Sequence, residues 1–367
     1  MKKLGFGCMR LPMNGEEVNY LEFSKMIKAF MDNGFTYFDT AHGYLNGKSE
    51  IAIHDCLTTK YDRNTYTIAD KLTDSYFNKK VDIRPFFESQ LKIVGVDYFD
   101  YYLMHAQSRR NYPKFKACEA YKVALELKAE GKIKHFGISF HDTAEYLDKI
   151  LTENPEIEFV QIQFNYADYY SNNVQSKLVY DTCIKHHKKI VVMEPVKGGN
   201  LVNLPDGAKK IFDELNSGMS YASYAIRFAA SYEDIFMVLS GMSNLEQMED
   251  NISYMKDFHP LSEEEKGAVL KAGDIFNNMN TIQCTACKYC EAGCPKHILI
   301  PSLFACFNQK EVFNDWNSSF YYNTVYTVFP HGKASSCIEC GKCEMVCPQK
   351  LPIRELLKDV AKTFEKD

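Results

Sequence analysis

Apolar residues along the first three quarters of the chain follow two alternating rhythms. Short β-rich runs recur at Leu4–Gly7, Tyr37–Thr40, Tyr66–Lys71, Asp100–His105, His135–Ser139, Phe159–Asn165, Ile190–Pro195 and Ile235–Ser240. Helical patterns lie between them. Phe23, Met26, Ile27 and Phe30 keep the i, i+3, i+4, i+7 spacing of one helix face, and Gly34 follows as a C-terminal cap. Tyr121, Ala124 and Leu125 begin a second stripe that ends at Gly131, and Leu147, Ile150 and Leu151 form a third, closed by Pro155. Alternation of this kind predicts parallel βαβ units. Eight units in roughly 260 residues predict a closed (β/α)8 TIM barrel. The rival, an open doubly wound sheet, usually carries a glycine fingerprint after its first strand. Gly5-Phe6-Gly7 lacks the third glycine and the helix that should follow.

Composition sharpens this picture at one place. The apolar fraction of 46% and charged fraction of 25% are those of an ordinary globular chain. The net charge of −5 and the absence of a long Lys/Arg run give no sign of nucleic-acid binding, and no apolar run is long enough for a membrane span. The start, Met1-Lys2-Lys3-Leu4-Gly5-Phe6-Gly7, turns polar and glycine-rich too early for a signal peptide, so a cytoplasmic location is expected. The cysteines are the departure. Of 13, nine lie beyond residue 283. In a reducing compartment such clustering points to metal or catalysis rather than disulfides. Two domains are expected, residues 1–275 and 276–367.

Barrel enzymes place their chemistry at the C-terminal ends of the strands. Those ends read Asp39-Thr40-Ala41-His42-Gly43-Tyr44, then Asp70-Lys71, Met104-His105, Gly137-Ile138-Ser139 and Gln163-Phe164-Asn165. Asp39, Tyr44, Lys71 and His105 together suit proton transfer. A free tyrosine, with a pKa near ~10, is a poor acid at neutral pH, and an adjacent ammonium lowers that value. Lys71 is expected to supply the charge, Asp39 to hold Lys71, and His105 to donate a hydrogen bond to a substrate oxygen. Each has a plainer reading alone: Asp39 as a cap, His105 as a core histidine, Tyr44 as one of 24 tyrosines. Their joint placement favours catalysis. His42 and His141 flank the same opening.

The run Phe38-Asp39-Thr40-Ala41-x-x-Tyr44, followed by Ser49-Glu50 and then by Lys71 and His105, each of these two after a strand, resembles the aldo-keto reductases. The resemblance continues through Gly137-Ile138-Ser139, Gln163-Phe164-Asn165, Pro195-Val196-x-x-Gly199, Ala225-Ile226-Arg227-Phe228 and Gly241-Met242-Ser243-x-x-x-Gln247-x-x-Asp250-Asn251, over residues 4–258. It implies an NAD(P)-dependent oxidoreductase that moves hydride between a nicotinamide cofactor and a small carbonyl or alcohol substrate. Tyr44 would be the general acid, tuned by Lys71 and Asp39, with His105 orienting the carbonyl. Ser139 and Gln163 would hold the carboxamide. Gly7, Met9 and Pro195 would line the cofactor, and Gly241, Ser243, Gln247 and Asn251 its adenosine end. Phe140 stands where the family usually has asparagine, and Met193-Glu194 where an aromatic residue often precedes Pro195. Gly241 and Gln247 replace the usual basic residues, so NADP and NAD both stay open, with a flavin a further candidate.

The tail carries Cys284-x2-Cys287-x2-Cys290-x3-Cys294-Pro295 and repeats it as Cys337-x2-Cys340-x2-Cys343-x3-Cys347-Pro348. This is the bacterial ferredoxin run for [4Fe–4S] clusters. Zinc sites instead use two separated pairs. A small, mainly helical ferredoxin-like iron–sulfur domain with two clusters is therefore expected. By the ferredoxin resemblance, Cys284, Cys287, Cys290 and Cys347 would hold one cluster, and Cys337, Cys340, Cys343 and Cys294 the other. Paired clusters suggest one-electron relay to an electron-transfer protein; a structural role is the alternative. The aromatic spacer, with Trp316, Phe320, Tyr321, Tyr322, Tyr326 and Phe329, is read as packing against the barrel or covering its mouth. Cys306 and the barrel cysteines 8, 56, 118 and 183 are read as buried small residues. A competing function is a non-catalytic redox-sensing or electron-transfer module built on a degenerate barrel.

Overall fold

The computed structural model describes residues 2–171, 174–215, 217–278, 281–313 and 316–365. Its contacts divide into two compact units. The first comprises Met1–Ser171, Gln175–Val196 and Ser217–Val269; the second comprises Lys197–Asn216 and Leu270–Asp367 with the short stretch Asn172–Val174.

The first unit is a closed barrel of eight parallel strands: β1 (Leu4–Gly7), β2 (Tyr37–Asp39), β3 (Thr67–Leu72), β4 (Phe99–Gln107), β5 (Ile133–Phe140), β6 (Phe159–Gln163), β7 (Lys189–Met193) and β8 (Ile235–Ser240). Each strand pairs with its sequence neighbour, and β1 closes on β8. The reason is visible in the side chains. The interior is filled by Tyr37, Ala69, Leu103, Phe159, Val191, Met237 and Leu239, all buried. The outward faces meet helices such as α1 (Tyr20–Asp32), which buries Phe23, Met26, Ile27 and Phe30 as its spacing required. Gly137 on β5 is a packing requirement, because a Cβ there would stand 2.6 Å from the Phe159 carbonyl oxygen.

Two strands stop two residues short of the sequence reading. β6 stops at Gln163 because Asn165 makes a local turn, its Oδ1 accepting from the Asp168 amide at 2.9 Å. β7 stops at Met193 because Glu194 takes a left-handed φ of 57°. In the other direction β4 runs on past His105, with a register shift against β5 and Ala106 at φ 51°.

The second unit is helical around the cysteine loops. Helices Ile300–Phe313 and Ile353–Phe364 bracket a core of Ile298, Leu303, Phe304, Phe307, Tyr322, Leu357 and Val360. Tyr322 belongs to this core: it stacks on Phe364 at 4.6 Å and donates to Glu365 at 2.5 Å. Phe320, Tyr321 and Phe329 are exposed. The side chain of Trp316 lies outside the described residues. Cys8, Cys56, Cys118, Cys183 and Cys306 are buried. Among the described residues no helix is long and apolar enough to cross a membrane.

Candidate functional site

Strand register brings the polar ends of β2, β3 and β4 to one level. Asp39 pairs with Ala69, and Lys71 with Leu103. Lys71, wholly buried, donates from Nζ to Asp39 Oδ1 and to the Thr40 carbonyl, each at 2.6 Å. Tyr44 follows in a tight turn, its amide donating to the Ala41 carbonyl at 2.9 Å, with Leu45 and Asn46 both left-handed behind it. Thr40 and Ser49 bond side chain to side chain at 2.8 Å, and Ser49 donates to the Cys8 carbonyl, which fixes the turn to the end of β1. The half-buried Tyr44 ring then lies 4.8 Å from Lys71 Nζ and 6.0 Å from the His105 ring. All four candidate catalytic side chains converge.

Electrostatics at this point correct one expectation. The Tyr44 phenol is pushed well above its ordinary pKa, not lowered. Burial is the main cause, followed by the charges of Asp39, Asp70, Cys8 and Glu194. Lys71, paired with Asp39, does not outweigh that burial. Burial also raises the Asp39 carboxyl, against the opposing pull of Lys71. His105 is held well below the ordinary imidazole value by burial, then by Lys71 and His141. Thr73, absent from the sequence reading, meets His105 Nδ1 at 2.6 Å. Burial and these charges favour the neutral ring, with Nδ1 at Thr73 and Nε2 left for a substrate.

The cofactor candidates separate by burial. Gly7 ends β1 beside Asp39, and Met9 follows, half-buried. Ser139 is buried and accepts the Ala106 amide at 2.7 Å. Gln163 meets His141 at 3.1 Å and Glu194 at 3.3 Å, and Pro195 is buried behind them. Gly241, Ser243 and Gln247 are exposed where β8 leads into the helix Leu245–Met255. Ser243 donates its amide to Gln247 and its hydroxyl to the Arg10 carbonyl. An open glycine turn with an arginine against it suits a phosphate-bearing group, and the amide of Gln163 suits a carboxamide. Asn251 stands behind this turn. It is 3% exposed, its Nδ2 donates to Ser240 and its Oδ1 accepts from Tyr254, so it braces the turn from inside.

In the second unit the eight candidate metal ligands form two sets. Cys284, Cys287, Cys290 and Cys347 line one hollow; Cys294, Cys337, Cys340 and Cys343 line another. Each loop exchanges its fourth cysteine with the other. Their backbones match: Ala286, Lys288 and His297 are left-handed in the first loop, and Glu339, Gly341 and Lys350 at the same offsets in the second. These conformations turn amides inward. Ala286 donates to Cys284 Sγ and Ile298 to Cys294 Sγ, each at 3.4 Å. Among the described residues no three Cys, His, Asp or Glu close on a single ion. Four thiolates around a hollow fit a polynuclear cluster.

A family model described as "Aldo/keto reductase family" matches residues 3–273, and one described as "4Fe-4S dicluster domain" matches residues 283–351. Among curated proteins the chain is similar to an NADH-specific methylglyoxal reductase of Escherichia coli (strain K12), 26% identical over 60% of this chain and 78% of the relative. It is also similar to an uncharacterized oxidoreductase, YqkF, of Bacillus subtilis (strain 168), 23% identical over 72% and 90%. Among solved structures, the holo form of an aldo-keto reductase from Bacillus halodurans aligns with TM-score 0.60 and 23% identity, over 74% of this chain and 91% of that one. An aldo-keto reductase from Klebsiella pneumoniae in complex with NADPH aligns with TM-score 0.59 and 17% identity, over 76% and 97%.

Proposed function

We propose a reaction on one premise: the chain belongs to the aldo/keto reductase family. The reaction is reduction of a small carbonyl compound, or oxidation of the matching alcohol, in the barrel of residues 1–275. The observation that carries it is the meeting of Asp39, Lys71, Tyr44 and His105 at one opening. A bound nicotinamide supplies or accepts the hydride. His105, kept toward its neutral form by burial and Lys71, donates from Nε2 to the substrate oxygen while its Nδ1 accepts from the Thr73 hydroxyl. Tyr44, held as a phenol, gives its proton to that oxygen as negative charge develops there. Lys71 steadies the resulting phenolate by charge, while Asp39 fixes the ammonium. Ser139 and Gln163 hold the carboxamide, and the Gly241–Gln247 turn the phosphate end.

Cysteine sets 284, 287, 290, 347 and 294, 337, 340, 343 hold one [4Fe–4S] cluster each in the region 276–367. Their task is one-electron relay to an electron-transfer protein. Hydride moves two electrons and a cluster one, so relay from the barrel chemistry needs a flavin, in this chain or its partner, to split the pair. The test is anaerobic purification with iron, sulfide and flavin analysis, then turnover of small aldehydes with NADH and with NADPH. Turnover abolished in Tyr44→Phe supports the reading. Turnover unchanged in that variant leaves the barrel as a binding module.

A further inference from the structure

Behind Lys71 lies a group of acids that the proposed reaction does not use. Asp70 and Glu50 are both wholly buried. Gln90 bridges them, its Nε2 standing 3.1 Å from Glu50 Oε1 and 3.1 Å from Asp70 Oδ1. Tyr102 donates to Gln90 Oε1 at 2.6 Å and so fixes which way the amide points. Asp70 Oδ1 also accepts the Lys71 amide at 2.7 Å. Its Oδ2 is buried and meets no donor, although the Glu50 carboxyl is its neighbour. Glu50 reaches the surface through His42, whose Nδ1 lies 2.7 Å from Oε2 and whose side chain is 25% exposed.

Charge counting decides the state of this group. Were Asp39, Glu50 and Asp70 all ionised, three buried negative charges would face the single buried ammonium of Lys71. Two like carboxylates in one dry site do not both ionise. One proton between Asp70 and Glu50 halves the excess and gives Asp70 Oδ2 its partner. A charged His42 then balances what remains. We propose that Asp70 and Glu50 share a single proton across neutral pH, and that this pair, opened to solvent by His42, is a positioning group that fixes the charge behind Lys71 and Tyr44. The titratable groups facing it are His42, Asp39, Tyr44, Lys71 and Tyr102. The direction of titration agrees: Asp70 is raised well above a normal carboxyl by burial and then by Glu50, and His42 is raised by its bond to Glu50.

The role in tuning Tyr44 rests on the reductase reading; the shared proton does not. Infrared spectra of the full-length protein at pH 8 test the proton directly. A protonated-carboxyl stretch that shifts in deuterium oxide is expected in the parent and in Asp39→Asn. It is lost in Asp70→Asn, and lost in Glu50→Gln, where Asp70 no longer has an acid beside it. No such band in the parent, or one undiminished in Asp70→Asn, overturns the proposal. The pH profile of kcat/KM tests the positioning role. Asp70→Asn and Glu50→Gln are expected to lose one ionisation from the alkaline limb, and a profile identical to the parent's refutes the coupling to Tyr44.

Discussion

Asp39 and Lys71 meet at 2.6 Å inside the barrel, almost wholly out of solvent. The thiols of Cys294, Cys337, Cys340 and Cys343 instead surround a hollow, and Cys340 is exposed. The first arrangement is built from the chain's own atoms: the ammonium and the carboxylate are partners, and the aromatic and aliphatic side chains of the barrel keep both dry. The second is a set of donors wrapped around a place that protein atoms do not fill. A site of the first kind is held by the fold. A site of the second kind holds its fold through what it binds, because like-charged thiolates repel until a metal neutralises them.

The largest break in this comparison comes from removing iron. Anaerobic chelation is expected to unfold the region 276–367 while leaving the barrel folded, the metal contribution to such small domains being on the order of 10 kcal/mol. Limited proteolysis reads this out: early cleavage beyond residue 276 and a resistant fragment below it. Cys287→Ser and Cys340→Ser should each halve the iron and sulfide content. Loss of both regions together would show that the two sites do not differ as argued.

Next in size is Tyr44→Phe. The ring and its place over Lys71 persist, but the proton is gone. A general acid contributes about 10²–10⁴-fold, so kcat should fall by that factor with KM little changed, measured by nicotinamide oxidation under anaerobic conditions. Lys71→Met follows, and it acts on stability. It leaves Asp39 buried and unpaired, and breaking a buried pair costs about 3–5 kcal/mol. Urea unfolding should show a loss of that order. Asp39→Asn,Lys71→Met together should be milder than Lys71→Met alone, because no bare charge remains.

What could be read ahead of the structure divides along the same line. The cysteine loops are local: spacing alone marks the eight candidate ligands, and the repeat predicts the one backbone shape that both loops take. The barrel followed from eight apolar runs and the helices between them, since period and length are local too. The four converging side chains became legible only through the rule that strand ends face one opening. Their supports were not legible. Thr73, two residues past Lys71, meets His105 from another strand by register alone. Gln90 left a trace, a polar residue on the helix stripe of Ile83, Phe87, Leu91 and Val94, and a buried polar group on such a face needs a partner. The direction of the Tyr44 shift was misjudged because sequence names the neighbours of a group but not its desolvation.

Thr73→Val sharpens the contrast from the barrel side, with a smaller effect. It removes the hydroxyl that occupies His105 Nδ1 and frees the ring to turn. A lost buried hydrogen bond is worth about 1–2 kcal/mol, so kcat/KM should drop about tenfold, and Thr73→Ser should restore it.

The smallest effect is a slope in stability with pH, and its sign follows from His105. Its folded value lies well below the ordinary imidazole value of 6.5, so between those two values the unfolded chain binds a proton that the folded chain refuses. The stability this histidine allows is fully present above pH 6.5 and declines as pH falls through that value toward the folded one. The limiting slope for one such group is about 1.4 kcal/mol per pH unit. Thermal unfolding of the parent between pH 7 and pH 5 should therefore steepen relative to His105→Gln, which has no proton to take. Equal slopes would mean that His105 is solvated in the folded barrel, and that its neutral ring is not enforced by the fold.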